Sequence, residues 1–151
     1  MEKMAQAGYS LTINAAGGVT FVARGAHDNG ALGSAAQVND GNWHHVVAEA
    51  DRPGETLILY VDGRLDATGP GIGPNVSVAS DADLYVGGTP RGRCLSGTLD
   101  FLRISLGTLA DAKTSIEELY TWQFDGPFLR DFVGNEPVGV RRDAGALESR
   151  Q

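Results

Sequence analysis

His44 and His45 stand side by side in the run Trp43-His44-His45-Val46-Val47. Imidazole can ligate a metal, act as a base or switch its charge near neutral pH. Adjacent residues of a strand point to opposite faces, so this pair does not close on one ion. His27 is distant and sits in a glycine-rich loop, and Cys94 is the only cysteine, so nothing has the spacing of a zinc site. A lone cysteine reads as a small buried apolar residue. A Ser-His-Asp triad would be announced by a Gly-x-Ser-x-Gly elbow, which the sequence lacks. Asp28, Asn39, Asp40, Asp81 and Asp83 offer loop oxygens of the kind calcium gathers. The same side chains also bond their own backbone in turns. Gly87-Gly88-Thr89-Pro90-Arg91-Gly92 lacks the lysine and helix start of a phosphate loop and reads as a plain loop. Sugar binding needs an exposed aromatic face. Trp43 and Tyr60 fall within expected strands and read as core. That leaves Tyr85 and Trp122 as the candidate ligand-binding residues.

These residues must be held by strands. Tyr9–Ile13 alternates polar and apolar, and Val19–Ala23 returns after the turn Ala15-Ala16-Gly17-Gly18. Residues 25–34 read as a loop and 35–38 as a short strand. Asn39-Asp40-Gly41-Asn42 is a dense turn cluster. Trp43–Ala50 reads as a strand, with Asp51-Arg52-Pro53-Gly54 turning the chain. Thr56–Val61 and Arg64–Thr68 form a hairpin around Asp62-Gly63, a strong hairpin signal. Val76–Ala79 and Leu84–Val86 read as short strands. Gly97–Leu106 reads as a long strand, apolar on both faces and therefore central or covered. The period then changes. Thr114-Ser115-Ile116-Glu117-Glu118 offers a capping box, and Ile116, Leu119 and Tyr120 share one face of a short helix ending near Gln123. From Phe124 the chain becomes a tail whose first half carries Phe124, Phe128, Leu129 and Phe132 and whose end is charged.

Composition narrows the class. The 151 residues fit one domain, and 21 glycines with evenly spaced short strands suit an all-β sandwich. A net charge of −7 argues against nucleic acid and anionic membranes, which need a basic patch. No apolar run is long enough to span a bilayer. Met1–Ala7 lacks the apolar core of a signal peptide. The chain is therefore expected to be intracellular, or a fragment whose export signal lies elsewhere.

Four motifs in order resemble those of laminin-G-like domains, in the concanavalin A-like lectin/glucanase superfamily. They are Asp40-Gly41-Asn42-Trp43-His44-His45-Val46, Leu59-Tyr60-Val61-Asp62-Gly63, Leu84-Tyr85-Val86-Gly87-Gly88 and Leu95-Ser96-Gly97-Thr98-Leu99-Asp100-Phe101-Leu102-Arg103-Ile104. The resemblance covers about residues 8–123, leaving 124–151 as the tail. It implies a jelly-roll-like sandwich of two antiparallel sheets with one short C-terminal helix. The Trp-His-His residues would pack and hydrogen-bond within it. Such domains normally have several strands before the segment matching Gly8-Tyr9-Ser10-Leu11, so the amino-terminal strands are expected to be absent. A homo-oligomer, or the tail 124–133 folding over the gap, would then complete the sandwich. Asp100 resembles a position where related folds place a calcium carboxylate, which makes calcium the expected cofactor. Glycosidases of the fold carry Glu-x-Asp-x-Glu on a strand, with nucleophile and acid about 5–5.5 Å apart. Here Glu49-Ala50-Asp51-Arg52 ends in Pro53, which supplies no proton. The resemblance thus implies a non-catalytic binding or adhesion module of a larger extracellular or cell-surface protein, with a glycan or protein surface as ligand. A glycoside hydrolase and a purely structural spacer are the alternatives.

Overall fold

A computed structural model describes residues 1–90, 92 and 94–125. They fall into two compact units, Met1–Gly97 and the segment from Thr98 onward. The first unit is two antiparallel sheets. One has the order β1-β2-β3-β4, from β1 (Glu2–Met4), β2 (Gly8–Ile13), β3 (Gly18–Arg24) and β4 (Asn29–Gln37). The other has the order β5-β6-β7, from β5 (Val46–Asp51), β6 (Thr56–Val61) and β7 (Arg64–Pro70). The all-β, jelly-roll-like sandwich expected from the sequence is the fold observed.

Alternation builds its core. Val19, Phe21 and Ala23 point inward from β3, and Leu57, Leu59 and Val61 from β6. Tyr9 and Leu11 flank the first set, and Val46, Ala48, Ala50 and Ala67 flank the second. Leu57 and Leu59 are fully enclosed, and small partners leave them room. Leu59 faces Ala48 on one side and Ala67 on the other, and Leu57 faces Ala50 and Gly69.

Two bulges join the sheets along one side. In β7, Asp66 is an extra residue, since Leu59 pairs with Ala67 but Tyr60 with Leu65. In β4, residues 34–36 bulge between the pairs Gly18–Gln37 and Thr20–Gly33. The amides of Ala35 and Ala36 lose their ladder partners there and donate to the Asp66 carboxylate at 2.7 and 3.0 Å. Ser34 Oγ accepts the Val19 N–H at 2.8 Å and donates to the Ala36 carbonyl at 2.7 Å. Every backbone group freed by the β4 bulge and named here is thus met by a side chain or a carbonyl.

Several boundaries differ from the sequence reading. Residues 29–34, read as loop, belong to β4. Their low strand propensity is overridden by pairing with β3, from Arg24–Asn29 to Thr20–Gly33. Glu2–Met4, assigned no element from the sequence, forms β1 on β2. The β1–β2 turn places Gly8 at φ 139, where a Cβ would overlap the Lys3 carbonyl oxygen. The strand expected from Trp43 starts only at Val46, because the His44 ring and the His45 N–H are held by the Asp62 side chain instead of a ladder. Val76–Ala79 and Leu84–Val86 are not strands; among the described residues the isolated bridges Glu2–Tyr85 and Gly88–Cys94 form.

The segment from Thr98 departs further. Residues 97–106 form no strand, and Leu99, Phe101, Leu102, Ile104 and Leu106 are exposed. Alternation shows capacity for a strand, but a strand exists only with a paired neighbour. The expected helix is present as α1 (Ile116–Asp125), extending slightly past Gln123. Its capping box forms both ways. The Glu118 N–H donates to Ser115 Oγ at 3.1 Å, and the Ser115 N–H donates to Glu118 Oε2 at 3.0 Å. Ile116 is the buried anchor of its apolar face. The tail beyond Asp125 lies outside the described residues.

Candidate functional site

The hairpin between β6 and β7 turns at Asp62 (φ 51) and Gly63 (φ 75). Two successive left-handed residues match the twist of the flanking strands, and Asp-Gly suits them because aspartate tolerates that region and glycine prefers it. The turn aims the Asp62 carboxylate back at the loop preceding β5. Asp62 Oδ1 accepts the His45 N–H at 2.9 Å, and Asp62 Oδ2 lies 2.8 Å from His44 Nδ1. The Asp62 N–H donates to the His45 carbonyl at 2.8 Å. Histidine and turn motifs widely separated in sequence thus form one structure.

His44 is held from its other side as well. Its Nε2 lies 2.8 Å from Asp40 Oδ1. Asp40 also accepts the Asn42 N–H at 2.8 Å and Asn42 Nδ2 at 2.9 Å, which closes residues 40–42 into an Asx turn. An imidazole between two carboxylates meets both only when both ring nitrogens carry protons. The His44 pKa is accordingly raised, mainly by its hydrogen bond to Asp40 and then by that to Asp62. The Asp40 carboxyl lies well below the usual range, held there first by the Asn42 amide and then by His44. His45 behaves oppositely. Burial lowers its pKa, partly offset by the charge of Asp62.

Between these fixed residues stands Trp43, 67% exposed. The sequence reading placed it in the core because it was assigned to a strand. The strand begins three residues later, so period-two alternation does not govern Trp43. The turn signal Asn39-Asp40-Gly41-Asn42 immediately before it was the available clue.

The residues singled out from the sequence lie elsewhere. Tyr85 is half-buried, exchanges both backbone hydrogen bonds with Glu2 at 2.8–2.9 Å, and donates its hydroxyl to Asp83 at 3.4 Å. Trp122 is on α1, and its side chain lies outside the described residues. Asp100 is exposed on the non-strand segment after Thr98. Asp28 accepts the Gly73 N–H at 3.1 Å, so it ties two loops together. Among the described residues, no three or more His, Cys, Asp or Glu side chains converge as a metal cluster. Asp51 Oδ1 accepts the Gly54 N–H at 3.0 Å, which commits it to the turn into β6. Glu55 follows that turn in the left-handed region at φ 50. Arg52 Nη2 donates to the carbonyls of Gly73, Pro74 and Val76 and so pins the irregular segment after β7. Cys94, expected to be buried, is exposed. No described helix is long and apolar enough to cross a membrane.

The chain is similar to known proteins. Residues 2–113 match a family model described as the concanavalin A-like lectin/glucanases superfamily. Over 72 residues the chain is 39% identical to the basement membrane-specific heparan sulfate proteoglycan core protein of Mus musculus. That match spans 44% of this chain and 2% of the mouse protein. A crystal structure of an S-layer domain-containing protein from Clostridium thermocellum is similar at 20% identity and a TM-score of 0.44. It covers 77% of this chain and 58% of the other.

Proposed function

The chain belongs to the concanavalin A-like lectin/glucanase superfamily, as a laminin-G-like domain, and from that premise we propose that it is a non-catalytic binding or adhesion module of a larger extracellular or cell-surface protein. The carrying observation is the family match across both sheets, joined to a carboxylate motif that stops at Pro53. Glu49-x-Asp51 is the only start of a glycosidase pattern, and Asp51 is occupied by the Gly54 amide. The likeness to a basement-membrane protein supports the extracellular setting.

Its ligand is a glycan or a protein surface. Tyr85 and Trp122 are the aromatic platforms put forward from the sequence, and Asp100 is the carboxylate for calcium. A second copy of the chain is a further partner, one that would complete the sandwich.

The test is an array of neutral and sulfated glycans and immobilised extracellular matrix proteins, read with calcium and with chelator, and a parallel assay for glycan cleavage. Saturable binding without cleavage is the expected result, weakened by Tyr85→Ala or Trp122→Ala. Cleavage of any bound glycan would overturn the non-catalytic assignment. Absence of binding to every glycan and matrix protein would leave a spacer domain in its place. Binding unchanged by chelator would remove calcium and Asp100 from the proposal. Sedimentation as a monomer at high concentration would remove the self-completing assembly.

A further inference from the structure

We infer that Trp43 is a further stacking platform, for a neutral sugar, in addition to Tyr85 and Trp122, an inference that rests on reading the chain as a glycan-binding module. Trp43 is a large apolar side chain left 67% exposed on a loop that is otherwise tied down. Asn42 before it is bound to Asp40 through both its backbone N–H and its Nδ2. His44 after it is held through both ring nitrogens, by Asp40 and Asp62. His45 donates its backbone N–H to the Asp62 carboxylate and accepts the Asp62 N–H at its carbonyl. The indole therefore projects from backbone that is already ordered. A ligand stacking on it has little loop entropy left to remove, which is what preorganisation contributes to affinity.

The chemistry around the ring selects the ligand. An indole face is apolar and polarisable, and it suits the C–H face of a pyranose. Asn42 and Asp40, exposed in the adjoining Asx turn, bond each other and His44, and the carboxylate keeps acceptor capacity for a sugar hydroxyl. The local charge is acidic. Asp40 and Asp62 bracket one imidazolium, two negative charges against one positive, and the whole chain carries −7. Sulfated or uronic-acid sugars meet repulsion at such a loop, whereas neutral hexoses do not. The ligand class is therefore a neutral oligosaccharide. Tyr85, by contrast, has its backbone engaged with β1.

The experiment is calorimetric titration of the full chain with cellohexaose, laminarihexaose and mannohexaose, with a heparin hexasaccharide as the charged comparator. At least one neutral hexasaccharide should bind. Trp43→Ala should weaken that binding by about tenfold or more, and Trp43→Phe, which keeps an aromatic face, by only about threefold. In 5-fluorotryptophan-labelled protein, the Trp43 fluorine resonance, assigned with Trp43→Phe, should shift on saturation. That readout needs no destabilising variant. A bound sugar with no Trp43 shift and with Trp43→Ala affinity within about twofold of the parent would overturn the Trp43 site. The glycan-binding module would then stand. Failure of all three neutral sugars to bind would overturn both the site and the glycan half of the functional reading. Heparin binding tighter than the neutral sugars would overturn the ligand class.

Discussion

Replacing Asp62 should unfasten the loop that carries Trp43 and destabilise the sheet beneath it. In Asp62→Ala three contributions are lost. The part-buried His45 N–H loses its 2.9 Å acceptor, which costs about 1 kcal/mol. The His44 contact joins side chains 15% and 38% exposed, so solvent screening reduces it to about 0.5 kcal/mol. Alanine must also hold φ near 51, a left-handed conformation costing it about 1 kcal/mol more than aspartate. The sum is about 2.5 kcal/mol, a large part of a domain stability of about 5–15 kcal/mol. Two further variants separate the parts. Asp62→Gly removes the backbone strain but neither missing bond, and should lose about 1.5 kcal/mol. Asp62→Asn keeps one acceptor oxygen and tolerates the left-handed turn, and should lose under about 1 kcal/mol.

The assay is urea unfolding at pH 6 followed by sheet circular dichroism. With a slope of about 1.5 kcal/mol per molar, Asp62→Ala should lower the midpoint by about 1.7 M. The expected order of loss is Ala, then Gly, then Asn. Asp62→Asn losing as much as Asp62→Ala would refute the reasoning, since it would make charge the dominant contribution. A loss below about 0.5 kcal/mol in Asp62→Ala would equally refute it, since the turn carboxylate would then hold nothing.

The two histidines should give stability opposite pH dependences. His44 has a raised pKa, so its contribution is full below the unfolded value of 6.5 and is lost as pH rises through the folded value. His45 has a lowered pKa, so its contribution is present above 6.5 and is lost as pH falls through the folded value. Unfolding midpoints between pH 5 and 8.5 should therefore rise with pH in His44→Gln and fall with pH in His45→Gln; parallel profiles would contradict the assignment. Asp66→Ala should leave the Ala35 and Ala36 amides without an acceptor, costing about 2 kcal/mol, and Asp66→Asn about half that. Hydrogen exchange should quicken at those two amides and stay unchanged in β2. Leu59→Ala, at a fully enclosed position flanked by two alanines, should cost about 2–5 kcal/mol by calorimetry, with no change in any ligand affinity.

Local signals made the strands of the first unit legible. Val19–Ala23 and Thr56–Val61 alternate in sequence and form the two inner faces, and Asp62-Gly63 turns as its residue types require. The capping box of α1 was equally readable, because it is closed by residues three apart. What failed depended on distant partners. β4 is rich in glycine and alanine, and pairing with β3 makes it a strand. Residues 97–106 have the reverse property, an alternating sequence that forms no strand. At the site, the histidines were read as scaffold, and their bonds to Asp62 and Asp40 fit that role. Trp43 was misplaced because a strand boundary shifted by three residues exchanges inside for outside.

The carboxylate of Asp66 has a role in fidelity as well as in cohesion. A slip of one residue in the β6–β7 hairpin would swing Asp66 to the opposite face and move it about 3.3 Å along the strand. The amides of Ala35 and Ala36 would then face an empty position across the sandwich. One sheet thus checks the alignment of the other, thirty residues away in sequence. A misaligned hairpin would be penalised only when the sheets meet, so correct docking proofreads a choice made earlier at Asp62-Gly63.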